Sequence, residues 1–283
     1  MTQNHAVRAL FLSAATSALA ACAGPPLSLD PLALGLQLTR SDRAVAGSAF
    51  AETIAELPAP EREQRIEREL LSGNMPDFLR ALVPITVSAT IDGIVHTATY
   101  WVTADYLAVG HDDDFLRVPM MAPTAQRIAD QLGCFLPTRK IVDDIHRAAR
   151  VQLEPHPFHP DDYDISSAPV FEASNRAIET ARADRRGLIS GIKKDIVVSA
   201  LIGANPGRVV IYGWHRSDGR PIQPLSKVHT TPHVDYSHGV RLVSRRVWVD
   251  GVEMDLPTLL RDRVLWPLVS DEGPFDSSRY DVR

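Results

Sequence analysis

The chain has 283 residues, of which 45% are hydrophobic and 23% charged, and its formal net charge is -5. This composition is typical of a globular protein with enough apolar side chains for a sizeable core, in one large domain or two smaller ones. Because the sequence contains no concentrated run of basic residues, it excludes nucleic acid as an expected partner.

The first two dozen residues have the pattern of an export signal. A short polar start with Arg8 precedes the apolar run ALFLSAATSALAA, which is shorter than a membrane-spanning helix requires. The end of that run, Leu19-Ala20-Ala21-Cys22, resembles the lipobox of bacterial lipoproteins. The resemblance implies cleavage before Cys22, diacylation of its thiol and a membrane anchor. Cleavage of an ordinary signal peptide near the same position is the alternative.

The same resemblance implies where the protein resides. Ala23 follows the cysteine in place of the Asp that retains many lipoproteins in the inner membrane. We therefore expect an exported, lipid-anchored protein of the cell envelope, in the outer membrane or on the periplasmic face. If Cys22 carries lipid, Cys134 is the remaining thiol and no intramolecular disulfide can form.

The rest of the sequence predicts an α+β fold. We expect a helical N-terminal part with a β-hairpin, and a β-rich C-terminal lobe with a mixed or antiparallel sheet. The expected organisation is a signal peptide over residues 1–21, a tether over 22–47 and a globular domain over 48–283. A proline-containing loop suggests that the globular part divides into lobes 48–155 and 170–283.

Local signals place several elements within this organisation. Asp92-Gly93 lies between two β-rich runs and predicts a hairpin over residues 83–103. Gly133 predicts the end of one helix, and Thr138 predicts the N-cap of the next helix, which runs to about Ala149.

The stretch from Ile211 to Trp248 concentrates polar and aromatic side chains between strand-like runs. Asp195 begins one predicted strand, His215 ends the next, and His238 begins a third. If these strands are neighbours, we expect the three side chains to converge on one rim, with His229 and Asp235 on the connecting loop.

Zinc is the cofactor that such a set would hold, because zinc accepts imidazole and carboxylate ligands. The candidate ligands are Asp195, His215, His229, His233 and His238. We favour His215 and His238, which lie at predicted strand ends, over His233, which follows Pro232. The predicted zinc set is His215, His229 and His238.

Two other chemistries stay open. Cys134 precedes a helix and His238 opens a strand much later, an order that resembles the papain-like cysteine peptidases. That resemblance implies a Cys134 thiolate activated by His238. Without metal or thiol, Asp235 or Asp195 could pair with His238 for acid–base catalysis. The candidate substrate-binding residues are Lys193, Lys194 and Arg241 for an anionic group and Tyr212, Trp214 and Tyr236 for a sugar or peptide.

The expected compartment and the composition of the stretch together suggest an extracytoplasmic hydrolase of a cell-envelope polymer, either peptidoglycan peptide or polysaccharide. The alternative is a non-catalytic envelope lipoprotein that binds a polymer or a partner protein. The expected partners are that polymer and the membrane, which the protein would reach through a lipid on Cys22.

Overall fold

The computed structural model describes residues 35–276 and 279–282. The predicted signal peptide and Cys22 lie outside these residues, so the export signal and the lipid anchor stay predictions. The described part of the tether lies against the body, because the amide of Leu36 donates to the carbonyl of Arg80 at 3.0 Å. Within the described ranges, no helix is both long enough and apolar enough to cross a bilayer.

The described part of the chain begins with three helices and continues with strands and helices in mixed order. The helices are α1 (Gly47–Ile54), α2 (Ala59–Leu71), α3 (Asp77–Arg80), α4 (Ala122–Gln131), α5 (Arg139–Ala148), α6 (Ala168–Arg182), α7 (Leu201–Ala204) and α8 (Leu256–Arg261). The strands are β1 (Val83–Ile91), β2 (Ile94–Val102), β3 (Ala108–His111), β4 (Asp114–Arg117), β5 (Cys134–Phe135), β6 (Val151–Gln152), β7 (Ile189–Ser190), β8 (Lys194–Ile196), β9 (Ile211–His215), β10 (Pro221–Ser226), β11 (His238–Gly239), β12 (Val243–Val249) and β13 (Val252–Asp255). The mixture of helices with antiparallel and mixed sheets confirms the α+β fold class.

The larger sheet has the order β1-β2-β12-β13, and β5 adds to β12. Asp92 and Gly93 form the predicted turn between β1 and β2, with φ of 50° and 82°. Positive φ at both central residues is the geometry that Asp-Gly favours in a two-residue hairpin. Ile91 pairs with Ile94 across this turn, which confirms the predicted hairpin.

One apolar core spans both halves of the chain. Phe50 of α1, Ile66 of α2, Tyr100 of β2, Ile141 of α5 and Ile211 of β9 belong to it, each with 1% exposure or less. Strand β12 pairs antiparallel with β2. The two segments that suggested separate lobes therefore share a sheet and a core.

Helix α5 begins at the predicted cap. The Thr138 hydroxyl accepts a hydrogen bond from the amide of Ile141 at 3.1 Å, and such a cap stabilises a helix by about 1 kcal/mol. Ile141 and Ile145 bury one face of α5 in the core. Because α5 also packs against β9, its Asp143 lies beside the end of that strand.

The smaller sheet carries the candidate site and has the order β10-β9-β8-β11. Strand β11 runs parallel to β8, and His238 is the register partner of Lys194. Strand β9 runs antiparallel to β8, and Tyr212 is the register partner of Asp195. Because side chains alternate between the faces of a sheet, Lys194 and His238 lie on one face, and Asp195 and Tyr212 lie on the other.

Candidate metal centre

Three side chains lie together where the chain enters β11. The Nε2 atom of His233 is 3.6 Å from Oδ2 of Asp235, and the Nε2 atom of His238 is 3.8 Å from the same oxygen. One ligand atom from each of the three residues lies within 4.8 Å of the other two. We refer to His233, Asp235 and His238 as the His-Asp-His group.

These separations suit a tetrahedral metal ion. Two ligands that bind zinc at about 2.1 Å with a tetrahedral angle lie about 3.4 Å apart. The 3.6 and 3.8 Å separations in the His-Asp-His group are a few tenths of an ångström longer. The ligand atoms of His233 and His238 lie within 4.8 Å of one another. The group therefore offers two nitrogens and one carboxylate oxygen to a single ion.

Ser237 orients the carboxylate of Asp235. The amide of Ser237 donates to Oδ1 at 2.7 Å, and its hydroxyl donates to the same oxygen. Oδ2 is left to face the two imidazoles. Desolvation would raise the pKa of Asp235, but the interactions with His233, His238 and Lys194 outweigh it and hold that pKa well below its usual range. The carboxylate is therefore ionised, which is the form that binds metal.

His238 is the most enclosed member of the group. Its side chain is 1% exposed, and neither ring nitrogen has a hydrogen-bond partner among the described residues. Burial lowers the pKa of His238 to about 4, against an opposing effect of Asp235, so the ring is neutral at physiological pH and able to bind a metal. Leaving a buried polar group without a partner costs about 1–3 kcal/mol. A metal ion on Nε2 would recover part of that cost.

The group opens to solvent on the side of His233. The His233 side chain is 33% exposed, whereas that of Asp235 is 5% exposed. The ring of His229 stacks on that of His233, with centroids 3.9 Å apart and an interplanar angle of 11°. Three protein ligands with an open side form the arrangement of catalytic zinc sites, in which water takes the remaining position.

Lys194 and Trp214 border the same group. The ammonium of Lys194 is 3.9 Å from Oδ2 of Asp235 and 5.3 Å from the centroid of the Trp214 ring. The indole of Trp214 is buried, and its Nε1 has no hydrogen-bond partner within the described ranges.

The expected convergence of Asp195, His215 and His238 on one rim was wrong. The three strands are neighbours, but the side chains lie on different faces. The Nε2 atom of His215 donates to Oδ1 of Asp143 at 2.8 Å, and the hydroxyl of Tyr212 donates to the same oxygen at 2.9 Å. His215 therefore belongs to a second cluster, where its ring also stacks on His146 with centroids 4.6 Å apart.

The backbone at Trp214 explains this separation. Residues three apart in a regular strand face opposite ways, yet Tyr212 and His215 contact the same carboxylate of Asp143. Trp214 has a φ of 56° and Gly213 a φ of 104°. These left-handed residues interrupt the alternation, so that Trp214 faces Lys194 while His215 faces α5.

Asp195 is enclosed on the second face. It is 2% exposed, and its Oδ2 accepts a hydrogen bond from the Tyr106 hydroxyl at 2.8 Å. No described residue donates a hydrogen bond to its Oδ1. Burial raises the pKa of Asp195 to about 6. The structure thus places Asp195 with Tyr106 and not with the His-Asp-His group.

Cys134 lies in β5, opposite Ser244 of β12. It is 3% exposed, and its thiol donates to the carbonyl of Leu132 at 3.5 Å. Burial raises the pKa of Cys134 to about 12, so the thiol is protonated at physiological pH. The papain-like arrangement needs a thiolate beside an imidazole, and a buried thiol with so high a pKa does not supply the thiolate.

Most of the candidate substrate-binding residues contact other parts of the protein and not solvent. The ammonium of Lys193 donates to the carbonyl of Tyr236 and to the hydroxyl of Ser174. Arg241 is fully buried and donates to the carbonyls of Thr103 and Ile189. The aromatic residues Tyr212, Trp214 and Tyr236 are exposed by 7%, 7% and 4%. Of the candidates for an anionic group, Lys194 is the one whose side chain is partly exposed, at 17%.

Sequence reasoning underrated His233 and missed Asp143 and His146. The spacing His233-x-Asp235-x-x-His238 was visible and could have shown the group, because a tight turn brings such neighbours together. The predicted zinc set included His215 and His229, which are not members of the group found here. No family model matches this chain, and comparisons with curated proteins and with solved structures also return no match.

Proposed function

We propose that this protein is a metal-dependent hydrolase of a cell-envelope polymer, with zinc held by His233, Asp235 and His238. The observation that carries the proposal is the His-Asp-His group itself, with its ligand atoms within 4.8 Å of one another. Over residues 35–276 and 279–282, no hydrogen-bond partner faces either ring nitrogen of its buried member, His238. Such an unpaired buried group is costly in a purely structural role.

The chemistry that follows is hydrolysis of an amide or a glycosidic bond. Zinc at this centre would polarise the bond and lower the pKa of a bound water. A bond forms between the water oxygen and the carbon under attack, the C–N or C–O bond to the leaving group breaks, and the water proton ends on the leaving group. His229, stacked on His233, is the candidate to carry that proton.

The N-terminal sequence supports an envelope substrate. A leader that ends in Leu19-Ala20-Ala21-Cys22 would export the chain and anchor it by lipid. An anchored hydrolase acts on polymers within reach of the membrane, which in the envelope are peptidoglycan peptides and polysaccharides.

The alternative is a non-catalytic lipoprotein that binds such a polymer. Exposed aromatic faces would favour it, because sugars and peptides stack on them. Tyr212, Trp214 and Tyr236 instead pack into the protein and are at most 7% exposed. These three residues therefore do not offer the exposed aromatic faces that would favour a polymer-binding function.

The test combines metal analysis with digestion of isolated cell wall. We expect purified protein to bind one zinc per chain and to release soluble fragments from the wall. His238→Ala should lose both properties, whereas His156→Ala, at an exposed position outside the group, should retain both. A wild-type protein that binds no zinc would contradict the metal centre. Zinc binding without any released fragment would contradict the hydrolase and favour the binding module.

A further inference from the structure

Lys194 brings a positive charge to the edge of the His-Asp-His group. Its position follows from the register of β8 with β11, which pairs Lys194 with His238 on one face of the sheet. The ammonium is 3.9 Å from Oδ2 of Asp235, beyond hydrogen-bond distance, and the Lys194 side chain is 17% exposed. The ammonium is thus close to the proposed ion and still reachable from solvent.

The backbone amide of Lys194 donates to the carbonyl of Ser237 at 2.7 Å, but its ammonium donates no hydrogen bond to the part of the chain that the structure describes. In the described ranges, the ammonium of the neighbouring Lys193 donates hydrogen bonds to Tyr236 and Ser174. The ammonium of Lys194 instead has an ion pair with Asp235 at 3.9 Å and a contact with the Trp214 ring. The Trp214 ring lies 5.3 Å from the ammonium and limits its direction. An ammonium that is held in direction and keeps its donors free is suited to bind an anion.

The charges at the centre also favour an anion. A zinc ion would bring two positive charges, imidazole ligands add none because they bind a metal in the neutral form, and Asp235 removes one. Lys194 adds another positive charge beside them. Among the described residues, no second carboxylate belongs to the group. The loaded centre would therefore have an excess of positive charge at its solvent side, which a substrate anion can neutralise.

We propose that Lys194 binds a carboxylate of the substrate next to the bond that is hydrolysed, and that the substrate is therefore a carboxylate-bearing segment of polymer. The inference rests on the proposed metal centre and deepens it by naming the substrate class. The carboxylate can come from a peptide or from a uronic acid, and both present the same anion to the ammonium.

The experiment measures anion binding by the zinc-loaded full chain, without relying on turnover. The probes are acetyl-alanine and glucuronic acid, each compared with its uncharged methyl ester by calorimetry. We expect wild type to bind at least one free acid more tightly than its ester. The preferred acid identifies the source of the carboxylate. Lys194→Met should lose roughly tenfold or more of the affinity for that acid, as loss of a charged hydrogen bond implies.

The matched control is Lys227→Met, because Lys227 is an exposed lysine whose ammonium donates to Asn205 at 2.7 Å. It should bind the acid as wild type does. Zinc affinity provides a second readout. Removing the cation at 3.9 Å from Asp235 should leave zinc affinity unchanged or raise it, whereas a lysine that merely supports Asp235 would lower zinc affinity when removed.

The outcomes separate this inference from the proposed function. Equal affinities for the acid in wild type and Lys194→Met overturn the role of Lys194, as does a zinc affinity that falls in Lys194→Met. No preference of wild type for either free acid over its ester also overturns it. A wild type that binds no zinc overturns the metal centre first, and the inference about Lys194 with it.

Discussion

Replacing His238 with Leu should stabilise the zinc-free protein. The His238 ring is 1% exposed, and neither nitrogen has a hydrogen-bond partner in the part of the chain that the structure describes, so the folded state bears an uncompensated desolvation cost of about 1–3 kcal/mol. Leucine has a similar volume and no polar atom. We therefore expect the free energy of unfolding to rise by about 1–3 kcal/mol, which corresponds to roughly 2–10 °C in Tm for a chain of this size.

The assay is urea denaturation in the presence of a chelator, followed by the same measurement with excess zinc. His156→Leu is the control, because His156 is exposed and lies outside the group, so its replacement should change the free energy of unfolding by less than about 0.5 kcal/mol. Zinc should stabilise wild type, because it binds the folded state, and should not stabilise His238→Leu. A loss of more than about 1 kcal/mol in zinc-free His238→Leu would refute the reasoning, since it would show that the ring stabilises the fold.

Three further predictions concern residues outside the His-Asp-His group. Burial raises the pKa of Asp195 to about 6, so Asp195 ionises in the unfolded chain before it does in the folded protein, and folding stability falls as pH rises from about 4 to about 6. Asp195→Asn should remove this loss and raise the free energy of unfolding by about 1–3 kcal/mol at about pH 8, with little effect at about pH 4. Asp143→Asn should lower the free energy of unfolding by about 1–3 kcal/mol in urea without changing zinc affinity, because the Asp143 carboxylate accepts hydrogen bonds from His215 and Tyr212. These hydrogen bonds lower the pKa of Asp143 against desolvation, so the stability that the carboxylate contributes is present above its unfolded pKa and is lost as pH falls through its folded pKa. Equal acid sensitivity of the variant and wild type would argue against this role of Asp143. Cys134→Ala should leave digestion of cell wall within about twofold of wild type, since burial raises the pKa of this thiol to about 12; loss of digestion by a stably folded variant would restore the cysteine chemistry.

Locally determined features were predictable from the sequence. Asp92-Gly93 has the residue types that a two-residue hairpin requires, and Thr138 has the hydroxyl that caps α5. The ends of the strands at Asp195, His215 and His238 were also predicted nearly in place. These features depend on residues close in the chain, so the sequence pattern contains the information.

The face on which each side chain lies was not predictable in the same way. Trp214 adopts a left-handed conformation, which costs about 1–2 kcal/mol for a residue with a side chain. The bond of His215 to Asp143 on α5 and the contact of Trp214 with Lys194 accompany it. Because Asp143 is far from His215 in sequence, the periodicity of the strand could not show that the left-handed conformation at Gly213 and Trp214 places His215 on the other face of the sheet.

The pairing of β12 with β2 is another long-range feature. Suitable strands were expected in both segments, but their partners depend on which apolar faces meet in the core. The proline-containing loop suggested a division that the shared sheet does not follow. His233 shows the opposite case, since its spacing to Asp235 and His238 is local and could have been weighted above the position of the strand ends.

The most direct test of the account is anomalous X-ray diffraction at the zinc edge from crystals of the zinc-loaded protein. We expect a peak between His233 Nε2, Asp235 Oδ2 and His238 Nε2, with each ligand at about 2.0–2.2 Å. A zinc peak held by other residues, or crystals in excess zinc with no peak at the His-Asp-His group, would contradict it.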